Sequence, residues 1–187
     1  MEIADVHDQI DHELVSKTQI EEKINSVAAQ VSKDYKDTDL LLVAVLKGAM
    51  NTLVAFSQAL SINVQMDFMS LSSYGDGLSS SGTIKVRQDL ACDVKGRDIL
   101  IVEDIVDSGH TLDWLIRELK NRGAASVEVF ALLEKPSRRE VDVPLKYRGY
   151  EVPDEFVVGF GLDYKERFRN LDSIAVLKPE VYQGEAV

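Results

Sequence analysis

The run ILIVEDIVDSGHTLDWL, residues 99–115, constrains this chain more than any other stretch. Its first half is almost continuously apolar, the pattern of a strand buried on both faces. Its second half passes into helical spacing that predicts a helix over 112–122, closed by Gly123. A buried strand feeding a helix through a short turn is half of a βαβ unit, and such units pack as a parallel sheet with helices on its faces. Between strand and helix stand three carboxylates, Glu103, Asp104 and Asp107, and then the small, hydroxyl-bearing turn Ser108-Gly109-His110-Thr111.

The same alternation runs along the rest of the chain. DLLLVAVL (39–46) is a second continuous apolar run; Lys47-Gly48 interrupts it, and residues 50–60 read as helix. INVQMDFMSL (62–71) and SVEVFALLE (126–134) read as strands. Residues 18–32 predict a helix with Ile20, Ile24, Val27, Ala28 and Val31 on one face, started by a Thr18–Glu21 capping box. TIKVRQDL resumes extended structure, and EFVVGFGL and SIAVL give two short late strands. Residues 135–153 hold Pro136, Pro144 and Pro153 and read as irregular. SSYGDGLSSSG (72–82) reads as a mobile loop long enough to be functional. With no internal repeat and no linker, the expectation is one α/β domain over 1–187. It has a doubly wound, mainly parallel sheet and a small flanking lobe from the N-terminal segment, with its helix, and residues 150–187. Ligands of such sheets sit beyond the carboxyl ends of the strands.

Charge and cysteine usage narrow the function classes. The net charge of −11 disfavours a nucleic-acid binder, which needs Lys and Arg to displace counterions. Residues 1–40 hold ten acids and four bases, so the rest is only mildly acidic and can still build a local anion site. Cys92 is the only cysteine, which excludes an internal disulfide and suits a reducing cytoplasm. No apolar run approaches the roughly 20 residues of a membrane span, and the acidic start lacks a signal-peptide core. A soluble, intracellular protein is expected.

Several motifs fail. There is no Walker A pattern, and GFGLDY (159–164) lacks the third glycine of a dinucleotide fingerprint. HDQIDH places His7/Asp11 and Asp8/His12 at helical i, i+4 spacing, which fits a metal site or, more simply, a frayed, solvated terminus. The stretch from Glu103 to Thr111 is richer. Backbone N–H groups at a helix start, a macrodipole and two hydroxyls make a phosphate cradle, and Gly109 lets a ligand approach the backbone closely. The same residues also fit an ordinary N-cap after a solvated acidic turn. Three acids beside a cradle repel one another unless a cation or sugar hydroxyls stand between them. A sugar phosphate bridged to Mg²⁺ meets that requirement.

VEDIVDSGHT resembles the 5-phosphoribosyl-1-pyrophosphate (PRPP) binding motif of type I phosphoribosyltransferases. VLKGAM, SSYGDGLSSSGTIKV, LLEKPSRR and PDEFVVGFGLDYKERFRNL are similar to segments of the hypoxanthine-guanine branch of that family, in the expected order. The resemblance implies transfer of a phosphoribosyl group from PRPP to hypoxanthine or guanine, giving IMP or GMP and pyrophosphate, with Mg²⁺ as cofactor and a homodimer or homotetramer as the assembly.

It also implies a role for each matching residue. Glu103 and Asp104 hold the ribose 2- and 3-hydroxyls and, with Asp163, the metal. Asp107 is the general base toward purine N7. Ile105 and Val106 lead into the cradle, where Asp107, Ser108, Gly109, His110 and Thr111 surround the 5-phosphate. His110 occupies a variable position and either lends charge to the phosphate or faces solvent. Lys47 and Gly48 form the pyrophosphate loop, preceded in the family by a non-proline cis peptide, and Arg169 grips pyrophosphate. Lys135 donates to the purine 6-oxo group, Phe156 stacks on the ring (core packing being the other reading of that residue), and Val157 binds the base through its backbone. Ser73 and Tyr74 form the tip of the closing loop. Gly161 is expected to touch none of these roles.

Overall fold

The computed structural model describes residues 1–73 and 84–183. After a 3₁₀ turn at Ile3–Val6 come β1 (Ile10–Val15), α1 (Lys17–Asp34), β2 (Leu40–Leu46), α2 (Met50–Ala59), β3 (Gln65–Ser73) and β4 (Ile84–Gln88). Then follow β5 (Asp98–Val106), α3 (His110–Asn121), β6 (Ser126–Glu134), a 3₁₀ turn at Pro136–Arg138, β7 (Tyr147–Glu151), β8 (Val157–Val158), β9 (Ile174–Leu177) and α4 (Pro179–Gln183). Tyr74 and most of the 72–82 stretch lie outside the described residues.

The main sheet has strand order β4-β3-β2-β5-β6-β7, parallel except for the antiparallel pair β3–β4. The apolar runs explain both of its faces. Along β2 and β5, alternate residues go to opposite cores, as the strand period of two requires. Leu40, Leu42, Ala44, Leu100 and Val102 join Ile24, Val31, Leu53 and Phe56 of α1 and α2 on one side. Leu41, Val43, Ile99 and Ile101 meet Leu112, Leu115 and Leu119 of α3 on the other. Helices on both faces make the doubly wound α/β architecture that the sequence predicts.

A second sheet, β1-β9-β8, is antiparallel and packs around its own cluster of Ile10, Val158, Phe168, Leu171, Ala175 and Leu177. It differs from expectation in one respect: the N-terminal helix is not part of it. Helix α1 packs on α2 and β7, and the element that joins the late strands is β1. Residues 7–12 are therefore neither a helix nor a frayed end. His12 lies inside a strand paired to Val176. Among the described residues no three His, Cys, Asp or Glu side chains gather to hold a metal there or elsewhere.

Two further expectations shift. Helix α1 is capped by Ser16, not Thr18: Ser16 Oγ accepts from the Gln19 N–H at 3.3 Å, and Gln19 Oε1 accepts from the Ser16 N–H at 2.9 Å. S-x-x-Q two residues earlier satisfies the same reciprocal rule as T-x-x-E. The region 135–153 is not wholly irregular, since β7 pairs with β6 through Phe130–Tyr147 and Leu133–Tyr150. Among the described residues no helix is long and apolar enough to cross a membrane.

Candidate active site

The strand order places the site. The chain leaves β2 toward β3 on one side, while β5 and β6 build outward on the other, so the order reverses between β2 and β5. In open parallel sheets the crevice beyond the carboxyl ends at such a switch point is where ligands bind. A cleft of about 250 Å³ opens there. Its lining comes from the two strand ends: Val45, Leu46 and Gly48 after β2, and Glu103 to Gly109 with Thr111 and Leu112 after β5.

Two adjacent carboxylates sit at its floor. Glu103 is buried, and burial together with the neighbouring Asp104 charge pushes its carboxyl well above the ordinary range. Burial also raises Asp104, to about 6, against the pull of the Ile105 N–H at 2.8 Å and the Arg169 charge. Two desolvated acids side by side are unfavourable as anions without a cation. A Cβ on Gly48 would overlap the Asp104 carboxylate, so the glycine brings the β2 loop directly onto the acid.

The pH dependence of stability follows. A carboxyl raised in the folded state contributes stability that is fully present below its unfolded value near 4. That contribution is lost as pH rises through the folded value near 6. In metal-free buffer, urea midpoints of wild type and Asp104→Asn are expected to diverge between pH 4 and 8. The Asn variant ends more stable by on the order of 1–3 kcal/mol. Parallel curves would remove the electrostatic strain from this account.

Above the acids, α3 begins. Its N-cap is Gly109 at φ 93°, with no side-chain cap; the Gly109 carbonyl accepts from Asp113 N–H at 2.9 Å. The left-handed conformation suits glycine, and a Cβ would also overlap the Val141 carbonyl. The first-turn N–H groups of a helix have no intrahelical acceptor, and here they open onto the cleft with Ser108 and Thr111. His110, first residue of α3, is exposed, and its Nε2 lies 2.8 Å from Glu140 Oε2. Asp107 lies between acids and cradle, its Oδ1 2.9 Å from Arg138 Nε.

The opposite wall is a charged cluster. The Leu46–Lys47 peptide is cis. Lys47 Nζ donates to Glu166 Oε2 at 3.0 Å. Arg169 Nη2 lies 2.8 Å from Asp163 Oδ1 and donates to the same Glu166 Oε2 at 3.3 Å. Arg169 Nη1 donates to the Gly161 carbonyl at 2.7 Å, while the Gly161 N–H returns a bond to the Arg169 carbonyl at 3.0 Å. Gly161, at φ 106°, presses on Gly48: a Cβ there would overlap the Gly48 carbonyl. The expectation that Gly161 touches no functional segment is therefore corrected. It sets the distance between the Lys47-Gly48 loop and the Asp163–Arg169 segment. Glu103, Asp104 and Asp163 do not close into a metal-binding cage among the described residues. Asp163 is engaged by Arg169 and by the Glu166 N–H at 2.9 Å.

Farther along, Lys135 follows β6. Its ammonium is largely enclosed and donates to the Glu155 carbonyl at 2.7 Å, with Asp154 Oδ1 at 3.8 Å. Phe156 is 37% exposed, so it is not core. Its ring stacks on Tyr182 and meets Tyr164 edge-on. Val157 is buried in β8, opposite Val176. Ser73 ends β3, paired with Ile84.

A family model for the phosphoribosyl transferase domain matches residues 12–165. The chain belongs to the phosphoribosyltransferase family. It is 46% identical over 178 residues to the hypoxanthine-guanine phosphoribosyltransferase of Bacillus subtilis (strain 168), spanning 95% of this chain and 98% of that protein. It is 45% identical to the bifunctional protein TilS/HprT of Listeria monocytogenes, covering 95% of this chain and 27% of that longer protein. Its fold superposes with a TM-score of 0.92 on the crystal structure of a hypoxanthine phosphoribosyltransferase from Staphylococcus aureus, 39% identical, over 95% of this chain and 96% of that one.

Two residues of this phosphoribosyltransferase site escaped the sequence reading. Arg138 pairs with Asp107 and Asp154, and Glu166 bridges Lys47 and Arg169. Charged side chains that act by long-range pairing leave no periodic trace; Lys47 and Glu166 are 119 residues apart.

Proposed function

We propose that the protein is a purine salvage enzyme, transferring the 5-phosphoribosyl group from PRPP to hypoxanthine or guanine to give IMP or GMP and pyrophosphate. The observation that carries this reading is the meeting, in one cleft, of a strained acid pair and an uncapped helix start. One ribose 5-phosphate spans both: its 2- and 3-hydroxyls face Glu103 and Asp104, and its 5-phosphate sits on the N–H groups and hydroxyls of Ser108 to Thr111. The hypoxanthine-guanine names of the similar proteins support the choice of base.

The donor set fits Mg²⁺. Oxygen ligands from two carboxylates are what this ion takes when substrate phosphates and water complete its shell, and no all-protein cage is needed. Glu103 and Asp104, with Asp163 farther out, are the residues that hold it. When bound, it neutralises the departing pyrophosphate.

The chain's own groups do the rest. Lys135 holds the 6-oxo oxygen of the base with a donor not used on Glu155, an ammonium having three. Phe156 offers an exposed aromatic face for the ring, and the Val157 backbone addresses the base edge. Purine N9 forms the bond to C1 as the bond from C1 to the pyrophosphate oxygen breaks, and Asp107 takes the N7 proton. Lys47, the Gly48 backbone and Arg169 receive the pyrophosphate. Ser73 and Tyr74 belong to the loop that closes over the reacting carbon and keeps water from it. His110, engaged with Glu140 at the rim, adds charge to the phosphate end when protonated. A cytoplasmic location and a homodimer or homotetramer belong to the same reading. Exposed Met50 and Val54, one turn apart on α2, offer apolar surface for self-association.

Calorimetric titration tests the reading of the cleft. PRPP is expected to bind more tightly with Mg²⁺ than without it. Ribose 5-phosphate, which lacks the pyrophosphate, should bind more weakly and gain less from the ion. Equal affinity for both ligands, or none for PRPP, would falsify it.

A further inference from the structure

Glu166 has no role in the transfer as described, yet it makes the central contact of the charged wall. A single oxygen, Oε2, accepts from Lys47 Nζ at 3.0 Å and from Arg169 Nη2 at 3.3 Å. The backbone is shaped to deliver it. Lys165, Glu166 and Phe168 adopt φ of 49°, 63° and 73°, a left-handed region that non-glycine residues seldom occupy. Its N–H is tied to Asp163 Oδ2 at 2.9 Å, and Asp163 is tied to Arg169. The carboxylate is thus held in the position of an anion between two cations.

We propose that Glu166 is an internal competitor for the pyrophosphate subsite: a built-in anion that neutralises Lys47 and Arg169 in the free enzyme and that incoming pyrophosphate must displace. The inference rests on the assignment of those two cations to pyrophosphate. Both partners of the Lys47–Glu166 contact are well exposed, so a more highly charged ligand can exchange with the carboxylate. The exchange works in both directions. Glu166 lowers affinity for PRPP and pyrophosphate alike, and its return to Lys47 and Arg169 assists departure of the product. Exposed ion pairs are individually weak, so two of them correspond to about a three- to tenfold effect on affinity.

The test compares wild type, Glu166→Gln, Glu166→Ala and Lys47→Met by calorimetric titration with inorganic pyrophosphate in Mg²⁺ buffer, alongside KM for PRPP and for the base. Both Glu166 variants are expected to bind pyrophosphate about three- to tenfold more tightly than wild type and to lower KM for PRPP, with KM for the base unchanged. A residue that merely braced the loop would do the opposite, weakening binding on removal. Unchanged or weaker binding in both Glu166 variants, with Lys47→Met weaker than wild type, overturns the competitor and leaves the subsite assignment standing. Wild-type binding in Lys47→Met removes the subsite assignment and the competitor with it.

Discussion

Asp107→Asn is expected to lower kcat by about 10²–10⁴-fold, the usual contribution of a positioned general base. PRPP affinity should change by less than about threefold, a difference under roughly 0.7 kcal/mol. The reasons are geometric. Asp107 lies at the junction of β5 and the cradle, between the acid pair and the helix start, and lines the cleft that both share. An amide keeps the size and accepts hydrogen bonds but cannot take a proton. It also loses the charge that faces Arg138 at 2.9 Å, and since both partners are about half exposed that loss alters stability little. Rapid-quench kinetics separate the chemical step from product release. If turnover survives while PRPP still binds, Asp107 is not the base.

The second large effect is expected from Gly161→Ala. The backbone there sits at φ 106°, where an L side chain is strained, and a Cβ would overlap the Gly48 carbonyl. Rigid backbone, not a mobile side-chain end, blocks the methyl group. Either the Lys47-Gly48 loop or the segment that carries Asp163 and Arg169 must move. Gly48 itself abuts the Asp104 carboxylate, so the displacement reaches the acid pair. A misplacement of about 1 Å at a reacting centre costs about 10²-fold, which is the expected fall in kcat/KM for PRPP. Stability should fall by only about 1–3 kcal/mol, the cost of one strained residue. Thermal melts and steady-state kinetics on the same preparation check both figures. A variant with wild-type kcat/KM would show that the Gly48–Gly161 contact does not set the geometry of the loop.

Much of this site was legible before any coordinates. Continuous apolar runs at 39–46 and 99–102 force strands buried on both faces, hence a parallel sheet with a switch point. That topology carries Gly48 and Asp107 to one edge. What the chain hides is where pattern gives way to tertiary contact. Strand β1 pairs with register irregularities between Ile10 and His12 and between Glu13 and Val15, so it shows no clean alternation and reads as a loose terminus. Strand β7 is an edge strand whose Gly149 lies against the Leu132 carbonyl, and its short, polar sequence carries no apolar run. Gly161 looks spare in GFGLDY because its constraint comes from a residue 113 positions away. Arg138 and Glu166 read as surface charges until the fold brings Asp107, Lys47 and Arg169 to them.

One measurement bears most directly on the central claim that the cleft joins ribose 5-phosphate to a 6-oxopurine. The protein is incubated with PRPP and Mg²⁺ and, separately, with hypoxanthine, guanine, xanthine and adenine, and nucleotide formation is followed for each base. Formation of IMP and GMP, with adenine unreactive, is the expected result. No nucleotide from hypoxanthine or guanine, or AMP formed at a comparable rate, would contradict it.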